Sequence, residues 1–146
     1  MRRFLVSGFL AVVMAMSAEA NSHDVFGTWQ TEAGSAHIDI EDCGDGTPCG
    51  IVSWVDPDVL DPGYTPETLI DRNGDKVLGM TLLHGFERRK NGWRSGKIYD
   101  PEAGKVYGSR LKVLDDGKLQ VKGCIGPFCI TQVWNRAPET IANLQS

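Results

Sequence analysis

Residue types that carry catalysis or bind metals are sparse in this chain. Its 146 residues include three histidines, His23, His37 and His84, too scattered to have the spacing of a metal site. There is no G-x-S-x-G elbow and no phosphate-cradling glycine loop, so the usual nucleophile and nucleotide motifs are missing. Asp71-Arg72-Asn73-Gly74-Asp75 imitates the start of a calcium loop. It then places Lys76 where the sixth residue should be glycine and Leu82 where the twelfth should be a bidentate glutamate. Paired acids such as Asp115 with Asp116 and Glu41 with Asp42 sit in turns, where carboxylates are usually solvated. The expectation is a chain with no catalytic residue, no metal and no cofactor, hence not an enzyme.

An excess of positive charge is also missing. Fifteen Lys+Arg against 19 Asp+Glu give a formal charge of −4, which argues against nucleic acid as a partner. No apolar run reaches the ~20 residues that a membrane-spanning helix needs. The longest is Phe4 to Met16, 13 residues, preceded by Arg2 and Arg3 and followed by Ala18-Glu19-Ala20. That pattern reads as a secretory signal peptide over residues 1–20 and as a protein that does not span a membrane. The first cysteine is Cys43, far from the cleavage point, which argues against a lipid anchor. Cleavage after Ala20 would leave 126 residues, with 13 basic and 18 acidic side chains, enough for one core.

What is present fits export. An even number of cysteines, Cys43, Cys49, Cys124 and Cys129, predicts two disulfides in an oxidising compartment. Three pairings exist on paper. Cys43 with Cys49 and Cys124 with Cys129 is preferred, because each pair brackets a turn-rich stretch, GDGTP or IGPF, flanked by strand-like sequence. Zinc is disfavoured, since neither spacing is a tight C-x2-C knuckle.

No long stretch repeats apolar residues at helical spacing, and turn signals recur at short intervals, so the fold class is all-β. Eight strands are expected: Val25–Thr31, Ser35–Glu41, Cys49–Val55, Leu78–Phe86, Trp93–Tyr99, Lys105–Leu114, Lys118–Ile125 and Phe128–Arg136. Short hairpins in this number close into an antiparallel up-and-down barrel, with a two-sheet sandwich as the runner-up. The domain reading is a barrel over residues 21–136 and a flexible C-terminal tail over 137–146. The long connection from Asp56 to Val77 reads as either a flap over one barrel mouth or a packed surface loop.

Gly27-Thr28-Trp29 near the start and Trp134-Asn135-Arg136 at the end of the last strand resemble the lipocalin pattern. There a G-x-W tryptophan closes one barrel end against an arginine, which makes Gly27, Trp29 and Arg136 the barrel-closing candidates. A wider resemblance covers most of the chain after residue 20. It is carried by Gly27-Thr28-Trp29, Cys43-Gly44, Pro48-Cys49-Gly50-Ile51-Val52, Leu78-Gly79-Met80, the block Gly96-Lys97-Ile98-Tyr99-Asp100-Pro101-Glu102-Ala103-Gly104-Lys105, Gly123-Cys124 and Thr131-Gln132-Val133-Trp134. These blocks are similar to the bacterial family called domain of unknown function 2147. The resemblance implies an exported, lipocalin-like barrel of Gram-negative bacteria, periplasmic or secreted, and implies no established activity.

Period-two alternation nominates an apolar lumen lined by Ile38, Ile40, Ile51, Val55, Leu111, Val113, Leu119 and Val121. Lys97, Tyr99 and Lys105 are candidates for a polar patch at the mouth, and a four-residue turn would set Ile98 opposite Tyr107. The ligand-binding candidates are thus Ile38, Ile40, Ile51, Leu111, Val113, Lys97, Tyr99 and Tyr107. The expected function is binding of a small hydrophobic or amphipathic molecule in the barrel. The alternative is a cell-envelope structural or protein-interaction module with a filled barrel.

Overall fold

The computed structural model describes residues 20–138, together with residues 8 and 10–15. Of the expected signal peptide over 1–20 only residues 8, 10–15 and 20 are described, and of the expected tail over 137–146 only 137 and 138; the rest of both lies outside the described residues. Among the described residues no helix is long and apolar enough to cross a membrane.

Nine strands form one antiparallel sheet: β1 Gly27–Gln30, β2 Ala36–Asp42, β3 Pro48–Val55, β4 Thr81–His84, β5 Glu87–Arg89, β6 Gly92–Asp100, β7 Lys105–Val113, β8 Leu119–Ile125 and β9 Phe128–Arg136. Sequence neighbours pair along the sheet, β1 also pairs β9, and β4 pairs β6. The result is a closed eight-stranded up-and-down barrel, in which β4 and then β5 pair successive parts of the same edge of β6. The expected single strand Leu78–Phe86 is interrupted twice. Gly79 and Gly85 take φ of +87° and +76°, left-handed values that bend the chain and drop Phe86 into the interior. There its ring covers Gly96 so closely that a Cβ at that position would lie 2.2 Å from it.

The core runs through the barrel and at one end includes Trp29, Leu119 and Trp134. The segment Ser22–Phe26 crosses this end: Trp93 Nε1 donates to the His23 carbonyl at 3.0 Å, and Val113 N donates to Ser22 O at 3.0 Å. Trp29 is fully buried and its Nε1 donates to Val25 O at 2.8 Å. Above it lies the Arg136 guanidinium, 3.9 Å from the ring centroid, donating to Phe26 O at 2.7 Å. Gly27 makes this arrangement fit. Its φ is +120°, and a Cβ there would sit 2.5 Å from Arg136 Nη1.

The cysteines pair as Cys43–Cys49 and Cys124–Cys129. The first closes the β2–β3 turn at the Trp29 end. The second ties Cys124 to its direct cross-strand partner near the tip of the β8–β9 hairpin, at the opposite end.

Candidate functional site

That opposite end is open. A cavity of about 870 Å³ enters the barrel between the β1–β2 turn, the β6–β7 and β8–β9 hairpins, and the long loop after β3. The volume lies within the ~300–1,000 Å³ typical of small-molecule sites. Its floor is built by inward residues of the strands, among them Ile38, Val52, Ile98 and Val121. The inward row across β6, β7 and β8 is Gly96, Ser109 and Gly123, and space survives at Gly123, which lines the cavity. Phe86 fills the room over Gly96, whereas a Cβ on Gly123 would have Ile98 as its nearest neighbour at 3.7 Å, an ordinary contact.

The β8–β9 hairpin forms one wall. Phe128, Ile130, Gln132 and Trp134 alternate on the inward face of β9, each opposite an inward residue of β8. Trp134 is buried in the core, but Ile125, Phe128 and Ile130 are 69%, 81% and 77% exposed while lining the cavity. Large apolar side chains that face a mouth and touch little else mark a surface shaped to be covered.

The opposite wall is the loop from residue 56 to 80, which packs on the core and also lines the mouth of the cavity. It opens with a 3-10 turn at Pro57–Val59, capped by the Asp56 carboxylate accepting from Asp58 N at 2.9 Å. Leu60 and Leu69 pack against the core, Val77 is buried, and Val59 and Ile70 face the cavity. Within the flap, Ile70 bridges Lys76 and Val77 N donates to Leu69 O at 3.1 Å, making a short hairpin. Its tip hooks onto the β6–β7 turn.

Tyr99 holds the hook. Its hydroxyl donates to Asp71 Oδ2 and accepts from Asn73 Nδ2 at 2.9 Å, and Arg72 N donates to Pro101 O at 3.1 Å. Asp71 Oδ1 accepts from Asn73 N at 2.9 Å and Asp75 N at 2.7 Å, so this 7% exposed carboxylate is well satisfied. The Tyr99 hydroxyl, then the backbone N–H groups of the tip, hold the Asp71 carboxyl below its ordinary 3.8. The same hydrogen bond to Asp71, with burial, pushes the Tyr99 phenol above 10.0. A depressed acid stabilises the fold above its unfolded value and loses that contribution as pH falls through its folded value. A raised phenol does the reverse, losing its contribution as pH rises through its folded value. Tyr99→Phe should therefore loosen the flap, raising amide exchange across residues 69–77 several-fold at pH 7 by local opening. The stability gap between Tyr99→Phe and the parent should be full at pH 7 and shrink below 3.8. Exchange and denaturation measured at pH 7 and pH 3 check both statements.

The residues nominated as ligand-binding divide into three groups. Ile38, Tyr99 and Tyr107 line the cavity. Ile40, Leu111 and Val113 do not; at 2%, 2% and 6% exposure they belong to the packed core with Trp29. Ile51 and Lys97 are on the outer face. Ile51 stands opposite Asp39, while Ile40 and Ile38 face Gly50 and Val52. The cause is a bulge: the β2–β3 register shifts between His37 and Ile38, leaving Ser53 unmatched and reversing the alternation read backwards from Val55. Phe128, Ile130, the flap residues and the Asp71–Tyr99 contact were not nominated. The inward parity of Phe128 and Ile130 could have been counted back from Trp134. That β9 pairs β1 only at Asn135 and Arg136, leaving Phe128 and Ile130 without a neighbour on that side, could not.

A family profile described as "Uncharacterized protein conserved in bacteria (DUF2147)" matches residues 27–136. Among solved structures, the protein HP1028 of Helicobacter pylori, titled as belonging to the lipocalin family, aligns at 20% identity with a TM-score of 0.60. The alignment covers 85% of this chain and 90% of that one, a likeness of fold. No curated protein matches the sequence. The chain belongs to the bacterial DUF2147 family and has the lipocalin-like barrel, closed at one end by Trp29 and Arg136.

Proposed function

We propose that the protein is an exported binding protein, not an enzyme, that takes the apolar chain of a small hydrophobic or amphipathic molecule into the open end of its barrel. The carrying observation is the apolar wall of Ile125, Phe128 and Ile130, three large side chains facing a cavity of about 870 Å³ and left exposed among the described residues. A long acyl chain covering this wall would remove apolar surface from water on both partners, at ~25 cal/mol per Å². Export to the periplasm or beyond is supported by the two disulfides and by the basic, apolar N-terminal 20 residues.

The test is titration with cis-parinaric acid, a fluorescent long-chain fatty acid. The parent protein should bind it at one site. Phe128→Asp combined with Ile130→Asp places charge on an already exposed wall, so folding is spared, and affinity should fall about tenfold or more. Gly123→Leu should do the same by filling the floor, because Gly123 has no positive φ and its Cβ has room. Ile51→Ala, on the outer face, should leave affinity unchanged. Absence of binding by the parent, or equal affinity in the wall and floor variants, would overturn the reading.

A further inference from the structure

A second concave region lies on the outside of the barrel, separate from the cavity. It encloses about 610 Å³ over the outer face of β6, β7 and β8, and its lining includes Arg89, Arg94, Ser95, Lys97, Gly108 and Arg110. A net charge of −4 conceals this, because composition averages faces that strand register keeps apart.

The register explains how the cations gather. β6 carries a bulge between Trp93 and Gly96: Trp93 pairs Leu111 and Gly96 pairs Ser109, so Arg94 and Ser95 together oppose the single residue Arg110. Ser95 takes a φ of +59° and is the one non-glycine residue with positive φ among the described residues. Such conformations carry a cost and cluster at functional sites. The bulge leaves Trp93 and Gly96 buried and turns both intervening side chains outward. Across the next strand pair, Arg110 stands directly opposite Lys122. One row therefore runs Arg94, Arg110, Lys122 over three adjacent strands, with cross-strand neighbours ~5 Å apart at Cβ.

Like charges directly opposed in a sheet repel, and this row has almost no internal compensation. Its β5 neighbour is Glu87, opposite Arg94, but that carboxylate pairs with Arg89 at 2.5 Å. Among the described residues this is the sole ion pair, which leaves Arg94, Lys97, Arg110 and Lys122 without a carboxylate partner. The adjoining row is Lys97, Gly108, Cys124. Gly108 puts no side chain on the groove floor, so an anion can approach the backbone between Lys97 and Arg110.

We infer that this groove is a binding site for clustered phosphoryl groups, with Arg94 and Arg110 as the principal contacts, Lys97 at its side and Lys122 extending the row beyond it. Guanidinium forks suit phosphate oxygens, which accept two parallel N–H donors at once. A ligand bearing several phosphoryl groups would convert the repulsion along the row into attraction. Its source is either a free oligophosphate or the headgroups of an anionic phospholipid surface, both of which present that chemistry.

The test uses the oxidised protein in two arms at low salt, where such contacts are least screened. One is calorimetric titration with inorganic tripolyphosphate. The other is co-flotation with phosphatidylglycerol vesicles against phosphatidylcholine vesicles. The parent should bind in at least one arm: tripolyphosphate binding identifies a soluble ligand, and binding to phosphatidylglycerol vesicles alone identifies a headgroup surface. Arg94→Gln with Arg110→Gln should weaken the observed binding about tenfold or more, through the loss of charge-assisted hydrogen bonds. Lys76→Gln with Lys118→Gln removes the same charge elsewhere and should change it less than about twofold. Near-ultraviolet circular dichroism checks that both variants are folded, and Arg94→Lys with Arg110→Lys keeps the charge if the glutamine pair is not. Failure to bind in both arms, or an equal loss in the two glutamine pairs, would overturn the inference.

Discussion

Trp29→Ala should destabilise the barrel by roughly 3–5 kcal/mol, the cost of deleting a large aromatic from a close-packed core. Trp29 has no exposed surface, and it belongs to the same buried cluster as Leu119 and Trp134. Its loss would open a cavity beneath the Arg136 guanidinium, which now caps the ring at 3.9 Å. It would also orphan the Val25 carbonyl that accepts from the indole N–H. Arg136→Ala should cost less, about 0.5–2 kcal/mol, because the stacked cation is exposed and contributes mainly the cation–π term. Urea denaturation of the two variants separates the contributions. A loss below about 1 kcal/mol for Trp29→Ala would mean that the tryptophan is not the closure of the barrel.

Gly27, Trp29 and Arg136 stand out in the sequence as a pattern, and the geometry explains why three such residues suffice. Each has a local requirement that the sequence displays: a glycine where φ is positive and a guanidinium sits in place of Cβ, an indole at an inward position, an arginine at the end of the last strand. The β6–β7 hairpin was equally legible. Pro101 to Gly104 is a four-residue turn with Gly104 at φ +64°, and it fixes Ile98 opposite Tyr107 and Tyr99 opposite Val106. Turn length determines register, and register determines every side chain's face.

The lumen was less legible, because alternation reports a face and not a depth. Ile40, Leu111 and Val113 share the inward face with Ile38, yet only Ile38 reaches the cavity. Depth depends on what plugs each end, and the plug at the closed end is the segment Ser22–Phe26, whose contacts join residues some 70 to 110 positions apart. Ile51 failed for another reason. A bulge adds one residue and inverts alternation beyond it, and nothing in Ser53-Trp54 announces one. The flap shows the same limit. Asp71 and Asn73 read as the start of an incomplete calcium loop, and their hydrogen bonds to Tyr99 appear only once the loop is folded back on the barrel.

Reduction of both disulfides should lower stability by about 4–5 kcal/mol, since loop-closure entropy assigns each of these short loops roughly 2–2.5 kcal/mol. The two bonds lie at opposite ends of the barrel, so their separate removal should have different functional consequences. Cys43 and Cys49 close a turn beside the plugged end, distant from the cavity. Replacing both with serine should lower the denaturation midpoint and leave fatty-acid affinity near that of the parent. Cys124 and Cys129 stand directly opposite each other near the tip of the β8–β9 hairpin, where β9 has no pairing with β1. Cys129 lines the cavity beside Phe128 and Ile130, whose exposed side chains have little packing to hold them. Replacing Cys124 and Cys129 with serine should cost similar stability and, in addition, let the hairpin tip open at its last two cross-strand pairs. Affinity for cis-parinaric acid should then drop several-fold, because the apolar wall must be ordered before it can bind. Measuring melting temperature and affinity for each pair of substitutions distinguishes the roles. An unchanged melting temperature after full reduction would refute the stabilising role of both bonds, and equal affinity in the two double variants would remove the Cys124–Cys129 bond from the site.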